Sequence, residues 1–151
     1  MPEISTTRRV HHAASDMFDL VADVECYPQF VPLCQSLNVR QRSKQDGKDV
    51  IVADMTVAYK FIRERFTSRV TLDRDKREIL VEYLEGPFRR LQNRWSFRAI
   101  EERVCDVEFF LTYEFRSRAL GVLMGSVFDA AFRRFAGAFE RRADQVYGTA
   151  A

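Results

Sequence analysis

From Ile51 onward the chain alternates between apolar and polar positions. Ile51, Ala53, Met55, Val57, Tyr59 and Phe61 share one face of an extended segment, opposite Val52, Asp54, Thr56, Ala58 and Lys60. The period of two returns in Phe66, Ser68, Val70 and Leu72 against Thr67, Arg69 and Thr71, and in Ile79, Val81 and Tyr83 against Glu82. It returns again in Leu91, Asn93, Trp95, Phe97 and Ala99 against Gln92, Arg94, Ser96 and Arg98. A last run sets Val107, Phe109, Leu111, Tyr113 and Phe115 against Asp106, Glu108, Thr112 and Glu114. Alternation with one polar face predicts antiparallel strands covered on one side only. Ile4 to His11 alternates more loosely and reads as a first strand. Asp46-Gly47 and Gly86-Pro87 punctuate the run as turns.

Two stretches change period. Met17, Phe18, Leu20, Val21 and Val24 have helical spacing, with Ser15 in the place of an N-cap and Asp16 and Asp19 suiting the positive end of the helix. This helix is expected to stop before Tyr27-Pro28, because a residue preceding proline disfavours the α conformation. A short turn, Gln29 to Leu33, follows. At the far end Leu120, Leu123, Met124, Val127, Phe128, Ala131, Phe132, Phe135 and Phe139 form one stripe between Ala119 and Tyr147, without a proline. A single helix of ~28 residues there is ~42 Å long, enough to cross a sheet. The order predicts an α+β fold. A curved antiparallel sheet of about six to seven strands wraps a long C-terminal helix, with two short helices after the first strand. Residues 1–151 read as one domain.

A curved sheet and a straight helix do not match along their length, so the space between them is either filled or hollow. Its lining is expected to be Met55, Val57, Tyr59, Trp95, Phe97, Leu111 and Tyr113 from the strands, and Leu120, Met124, Val127, Phe128 and Phe132 from the helix. By pattern alone the solid core is the better reading, since aromatic stripes usually pack on one another. The 13 phenylalanines among 151 residues require a large apolar interior in either case.

Composition removes several classes. The chain is 46% hydrophobic and 30% charged, which excludes a disordered or collagen-like polymer. A net charge of +2 gives no bulk-charge argument for nucleic acid. The cationic side is lopsided: with lysine only at Lys44, Lys48, Lys60 and Lys76, twenty of the 24 cationic residues are arginine. Three cysteines without close pairing fit a reducing compartment, and two adjacent histidines are too few for a usual zinc site. No apolar run resembles a secretory leader or a membrane span, so the expected location is cytoplasmic or peripheral to a membrane. No nucleophilic triad, phosphate loop or metal spacing stands out, and no catalytic or metal residue is assigned.

Three stretches carry a resemblance. They are Tyr27-Pro28-Gln-Phe30-Val-Pro32-Leu-Cys34, then Gly86-Pro87-Phe88 with Asn93-Arg94-Trp95, then Val107 to Phe115 running on to Phe128-Asp129. Together they resemble the START-like superfamily of polyketide cyclases and lipid-transport proteins, in the branch of coenzyme Q-binding proteins and bacterial ribosome-association toxins. The resemblance implies a helix-grip fold and a hydrophobic tunnel holding ubiquinone or a similar isoprenoid, with no covalent cofactor and no catalysis. It implies a role in respiratory electron transfer or quinone synthesis, and contact with the inner membrane surface. Tyr27, Phe30, Val31, Leu33 and Phe88 are then expected at the tunnel mouth. Tyr59, Tyr113, Asn93 or Arg94 would supply a hydrogen bond to a quinone head. The protein is expected to be a monomer. The alternative implied by the same branch is a factor that binds the large ribosomal subunit and blocks subunit association, helped by Arg89, Arg90, Arg94, Arg141 and Arg142. A cyclase acting on polyketides is a third reading, short of acid and base residues.

Overall fold

The computed structural model describes residues 3–148. Strand β1 (Glu3–Val10) is followed by helix α1 (Ala14–Ala22) and a 3-10 turn (Val24–Gln29). Six strands come next: β2 (Cys34–Gln45), β3 (Lys48–Tyr59), β4 (Ile62–Asp73), β5 (Glu78–Glu85), β6 (Phe88–Glu101) and β7 (Val104–Phe115). Helices α2 (Arg118–Arg133) and α3 (Phe135–Tyr147) end the described chain. The seven strands form one antiparallel sheet in the order β1-β7-β6-β5-β4-β3-β2. Five strands therefore run as a meander of hairpins from β2 to β6, and β7 brings the chain beside β1.

The hairpins follow from their turn residues. Asp46 (φ 53°) and Gly47 (φ 79°) both take positive φ, which a two-residue hairpin needs to match strand twist. Gly86 has φ 144°, and a Cβ there would lie 2.6 Å from Cβ of Phe66. Only glycine lets the β5–β6 connection pass this close to β4.

Three expectations are corrected. Strand β2 was not among the predicted runs, since beyond Val39 it is polar on both faces; it is a sheet edge, where charged side chains keep other strands away. Helix α1 begins two residues early: Ala13, not Ser15, is the N-cap residue, and its carbonyl accepts from the Met17 amide at 3.0 Å. The expected single C-terminal helix is two helices. At Arg134 the backbone turns to φ −94°, ψ −3°, its amide bonds back to Ala131, and its own Nε donates to the freed Ala130 carbonyl at 3.3 Å. The break lets both halves follow the curved sheet. Phe128 and Phe132 pack against Phe88 and Tyr113, and Phe139 reaches Trp95 and Tyr27.

Among the described residues no helix is long and apolar enough to cross a membrane.

Candidate functional site

The concave face of the sheet meets α2, α3 and the bend after α1 around one apolar cavity of about 90 Å³. Met55, Val57, Trp95, Leu111, Phe128 and Phe132 of the predicted tunnel line it, together with Tyr27, Val31 and Leu33 of the predicted mouth. The bend is shaped for this. Leu33 is held at φ 66°, a left-handed conformation costing a bulky residue ~1–2 kcal/mol. Its carbonyl accepts from the Ala58 amide at 3.0 Å, which ties the bend to β3 and keeps the side chain on the cavity. Tyr27 donates from its hydroxyl to the Val21 carbonyl and lays its ring edge-on to Phe139, 5.3 Å away. Burial raises the phenol far above its ordinary pKa, so it is a neutral donor already in use.

The remaining predicted residues lie elsewhere. Phe97 stacks on Trp95 but turns its edge to Phe18 of α1, away from the cavity. Tyr59 is exposed beside Lys60 at the β3–β4 turn. Tyr113 is buried among Phe88, Phe115 and Phe132, and burial pushes its hydroxyl up to about 12. Met124 is buried beside Leu33, Val57 and Phe128 in a separate small void, with Leu120 and Val127 half-buried on the same helix. Two mouth residues are placed differently from expectation. Phe88 is wholly buried at the centre of an aromatic cluster with Phe66, Tyr83 and Phe115. Phe30 lies on Phe139 under the guanidinium of Arg142, outside the cavity lining. Both are apolar anchors for neighbouring elements rather than a rim.

The lining carries almost no polarity. No residue that is charged at neutral pH touches the cavity. Asn93 is present and partly occupied: one Nδ2 hydrogen donates to the Phe110 carbonyl and its Oδ1 accepts from Trp95 Nε1, both at 2.9 Å. Ser68 is different. It is buried, it lines the cavity, and its Oγ has no hydrogen-bond partner. Such a hydroxyl carries a cost of ~1–3 kcal/mol until something pairs with it. Ser68 escaped the sequence reading as a site, although the signal was there: it is a small polar residue on the inward face of β4, flanked by the apolar Phe66 and Val70. Of the other suggested head-group donors, Tyr59 is at the exposed turn and Arg94 is exposed.

Among the described residues no cluster of His, Cys, Asp and Glu is arranged to hold a metal. Asp54 is clamped between Arg40 (2.6 Å) and Thr67. Desolvation pushes its carboxyl up, but the bonds from Thr67 and Arg40 outweigh this and hold it below the ordinary value.

A greasy cavity under a curved sheet, gripped by C-terminal helices, is the architecture of a known family, and the model for polyketide cyclase/dehydrase and lipid transport matches residues 10–140. The chain belongs to this family. Within it, the ribosome association toxin RatA of Escherichia coli K12 is 33% identical over 147 residues, covering 97% of this chain and 90% of the toxin. The mitochondrial coenzyme Q-binding protein COQ10 homolog B of Xenopus laevis is 27% identical over 150 residues, covering 97% of this chain and 59% of that protein. The fold is that of a START superfamily protein from Mycobacterium smegmatis, with a TM-score of 0.79 at 21% identity over 95% of this chain and 98% of that one. The helix-grip fold expected from the sequence is thus the fold observed. By its description the family joins cyclases to lipid-transport proteins, so membership alone does not assign chemistry.

Proposed function

We propose that this chain is a non-catalytic binder of ubiquinone or a similar neutral isoprenoid, held between the sheet and helices α2 and α3. The observation that carries this reading is the lining: twenty-odd side chains converge on one cavity and none of them is charged. A cyclase needs placed acids or bases, and the one titratable side chain on this cavity, Tyr27, is locked to Val21 and pushed out of working range by burial. An isoprenoid needs only apolar area. At roughly 25 cal/mol per Å² buried, several isoprene units offset the cost of association and reach micromolar binding. The similarity to a coenzyme Q-binding protein points the same way.

The cavity of about 90 Å³ is smaller than the ~150 Å³ that accommodates a benzene ring. Loading a head group or tail therefore requires Phe128, Phe132, Phe135 and Phe139 to move outward with their helices. The break at Arg134 gives those helices a place to bend. The test is chemical: purify the protein from a quinone-producing host, extract with organic solvent and weigh the extract. A quinone or other prenyl lipid near one per protein is expected. Repeated extracts free of any isoprenoid would contradict the proposal.

A second reading, a factor that binds the large ribosomal subunit, is favoured by the 33% identity to a ribosome association toxin. The arginine excess lends it little. Arg8, Arg9, Arg40, Arg42, Arg69, Arg74, Arg90, Arg98 and Arg133 are all engaged in ion pairs with this chain's own carboxylates. Arg90, one of the five arginines named for RNA, faces Glu114 at 3.3 Å. Sedimentation with purified large subunits at low and high salt separates the readings, since phosphate contacts weaken steeply with salt.

A further inference from the structure

Ser68 sits where a ligand's oxygen would have to be recognised. It lies on β4, directly opposite Ala53 of β3 and Tyr83 of β5. From the β2 edge inward, the row runs Val39, Ala53, Ser68. At ~4.8 Å per strand, Ser68 is ~10 Å inside the edge strand. The pairing of β4 with β5 slips between Thr67 and Ser68, the kind of irregularity that re-aims a side chain. The neighbouring lining, Ala53, Phe66, Val70 and Val81, is apolar and gives the hydroxyl nothing to bond. Asn93, the other polar side chain at this depth, has its amide oxygen committed to Trp95 and one of its two amide hydrogens to Phe110, which fixes its orientation.

We infer that Ser68 is the polar anchor of the cavity and that the ligand is a neutral apolar molecule carrying an acceptor oxygen, a ketone or quinone carbonyl, which enters first and accepts a hydrogen bond from Ser68 Oγ. This deepens the lipid-binding reading and rests on it. The orientation follows from the depth of the hydroxyl. The oxygen-bearing end lies inside, under β3 to β5, and the hydrocarbon end points back toward the half-exposed Pro32, Leu33 and Leu37 at the β2 side. Net charge on the ligand is selected against. A carboxylate brought to Ser68 would meet one hydroxyl and no cation, and a buried charge so poorly paired is strongly disfavoured. The site thus discriminates a ketone from a fatty acid of the same length.

The experiment is displacement of the neutral dye N-phenyl-1-naphthylamine by three matched probes, 2-nonanone, nonane and nonanoate. The full chain is compared with Ser68→Ala and Ser68→Thr. One hydrogen bond predicts that the native protein takes 2-nonanone about three- to ten-fold more tightly than nonane, with nonanoate weakest. Ser68→Ala should bring ketone and alkane together while leaving nonane affinity unchanged, and Ser68→Thr should keep the ketone preference. Urea denaturation of each variant separates lost folding from lost recognition. Equal binding of ketone and alkane by the native protein, or an undiminished preference in Ser68→Ala, overturns the anchor and leaves the apolar cavity standing. Failure of both dye and nonane to bind overturns the cavity reading itself, and the anchor with it.

Discussion

Cys34 and Cys105 are buried thiols whose pKa burial pushes up to about 11, and Cys26 is raised by its bond to Asp23. None is a ready thiolate at neutral pH, which fits a site without a nucleophile. Iodoacetamide at pH 8 is expected to modify only the half-exposed Cys26 in the folded protein and all three cysteines in urea; native labelling of Cys34 would contradict the packing of the bend. Asp106 works on the opposite face. Its bidentate bond from Arg9, at 2.9 and 3.2 Å, and the nearby Arg98 hold its carboxyl below the ordinary value. A depressed carboxyl stabilises the fold above its unfolded pKa of ~3.9, and that contribution is lost as pH falls through the lower folded value. Asp106→Asn should therefore flatten the loss of urea resistance below about pH 4; an unchanged acid limb would refute this role. Gly86 has no tolerance at all. Gly86→Ala combines a positive φ with a 2.6 Å clash on Phe66, and should cost about 2 kcal/mol or more of unfolding free energy.

Helices α2 and α3 are held in different ways. The long-range polar ties fall on α3: Arg8 to Glu140, His12 to Asp144, Tyr147 to the Asp16 carbonyl and Arg142 to Gln29. Helix α2 is seated by Met124, Phe128, Ala131 and Phe132, while Val122 and Leu123 on its outer side are exposed. Hydrogen exchange is expected to be faster in α2 than in α3, and a bound prenyl quinone should slow α2 most. Uniform protection across both helices would show that the Arg134 break is not a hinge. The sequence stripe from Leu120 to Phe139 made the helical state and its apolar face legible. The break itself was not, because it contains neither proline nor glycine and arises from fitting the curvature of a sheet. The strands with one polar and one apolar face were readable for the same reason that β2 was not: alternation marks a half-buried strand, and the outer part of β2 is exposed on both faces.

At the scale of the whole molecule, an apolar cavity lies between the sheet and the C-terminal helices, and half of the side chains expected in a tunnel line it. The errors share a cause. Period two tells which face a residue is on but not how far along the sheet the helices reach, so Tyr59 was assigned to the interior although it lies at an exposed turn, and Phe97 to the cavity although α1 covers it. The volume is small enough to be filled from within. Ala53 is buried and lines the cavity, and Ala53→Leu adds three carbons there. This variant should unfold within about 1.5 kcal/mol of the native protein yet bind prenyl quinone at least about ten-fold more weakly. A variant that folds normally and binds as well would move the ligand to another site.

Trp95 offers the most direct view of the central claim. It is the single tryptophan of the chain, it is buried, and its ring lines the cavity between Phe109 and Phe139. Titration with a short-tailed ubiquinone should quench its fluorescence along a saturable curve with a micromolar midpoint, and Ala53→Leu should remove the saturable part. Quenching that rises linearly without saturation, and identically in both proteins, would contradict the account.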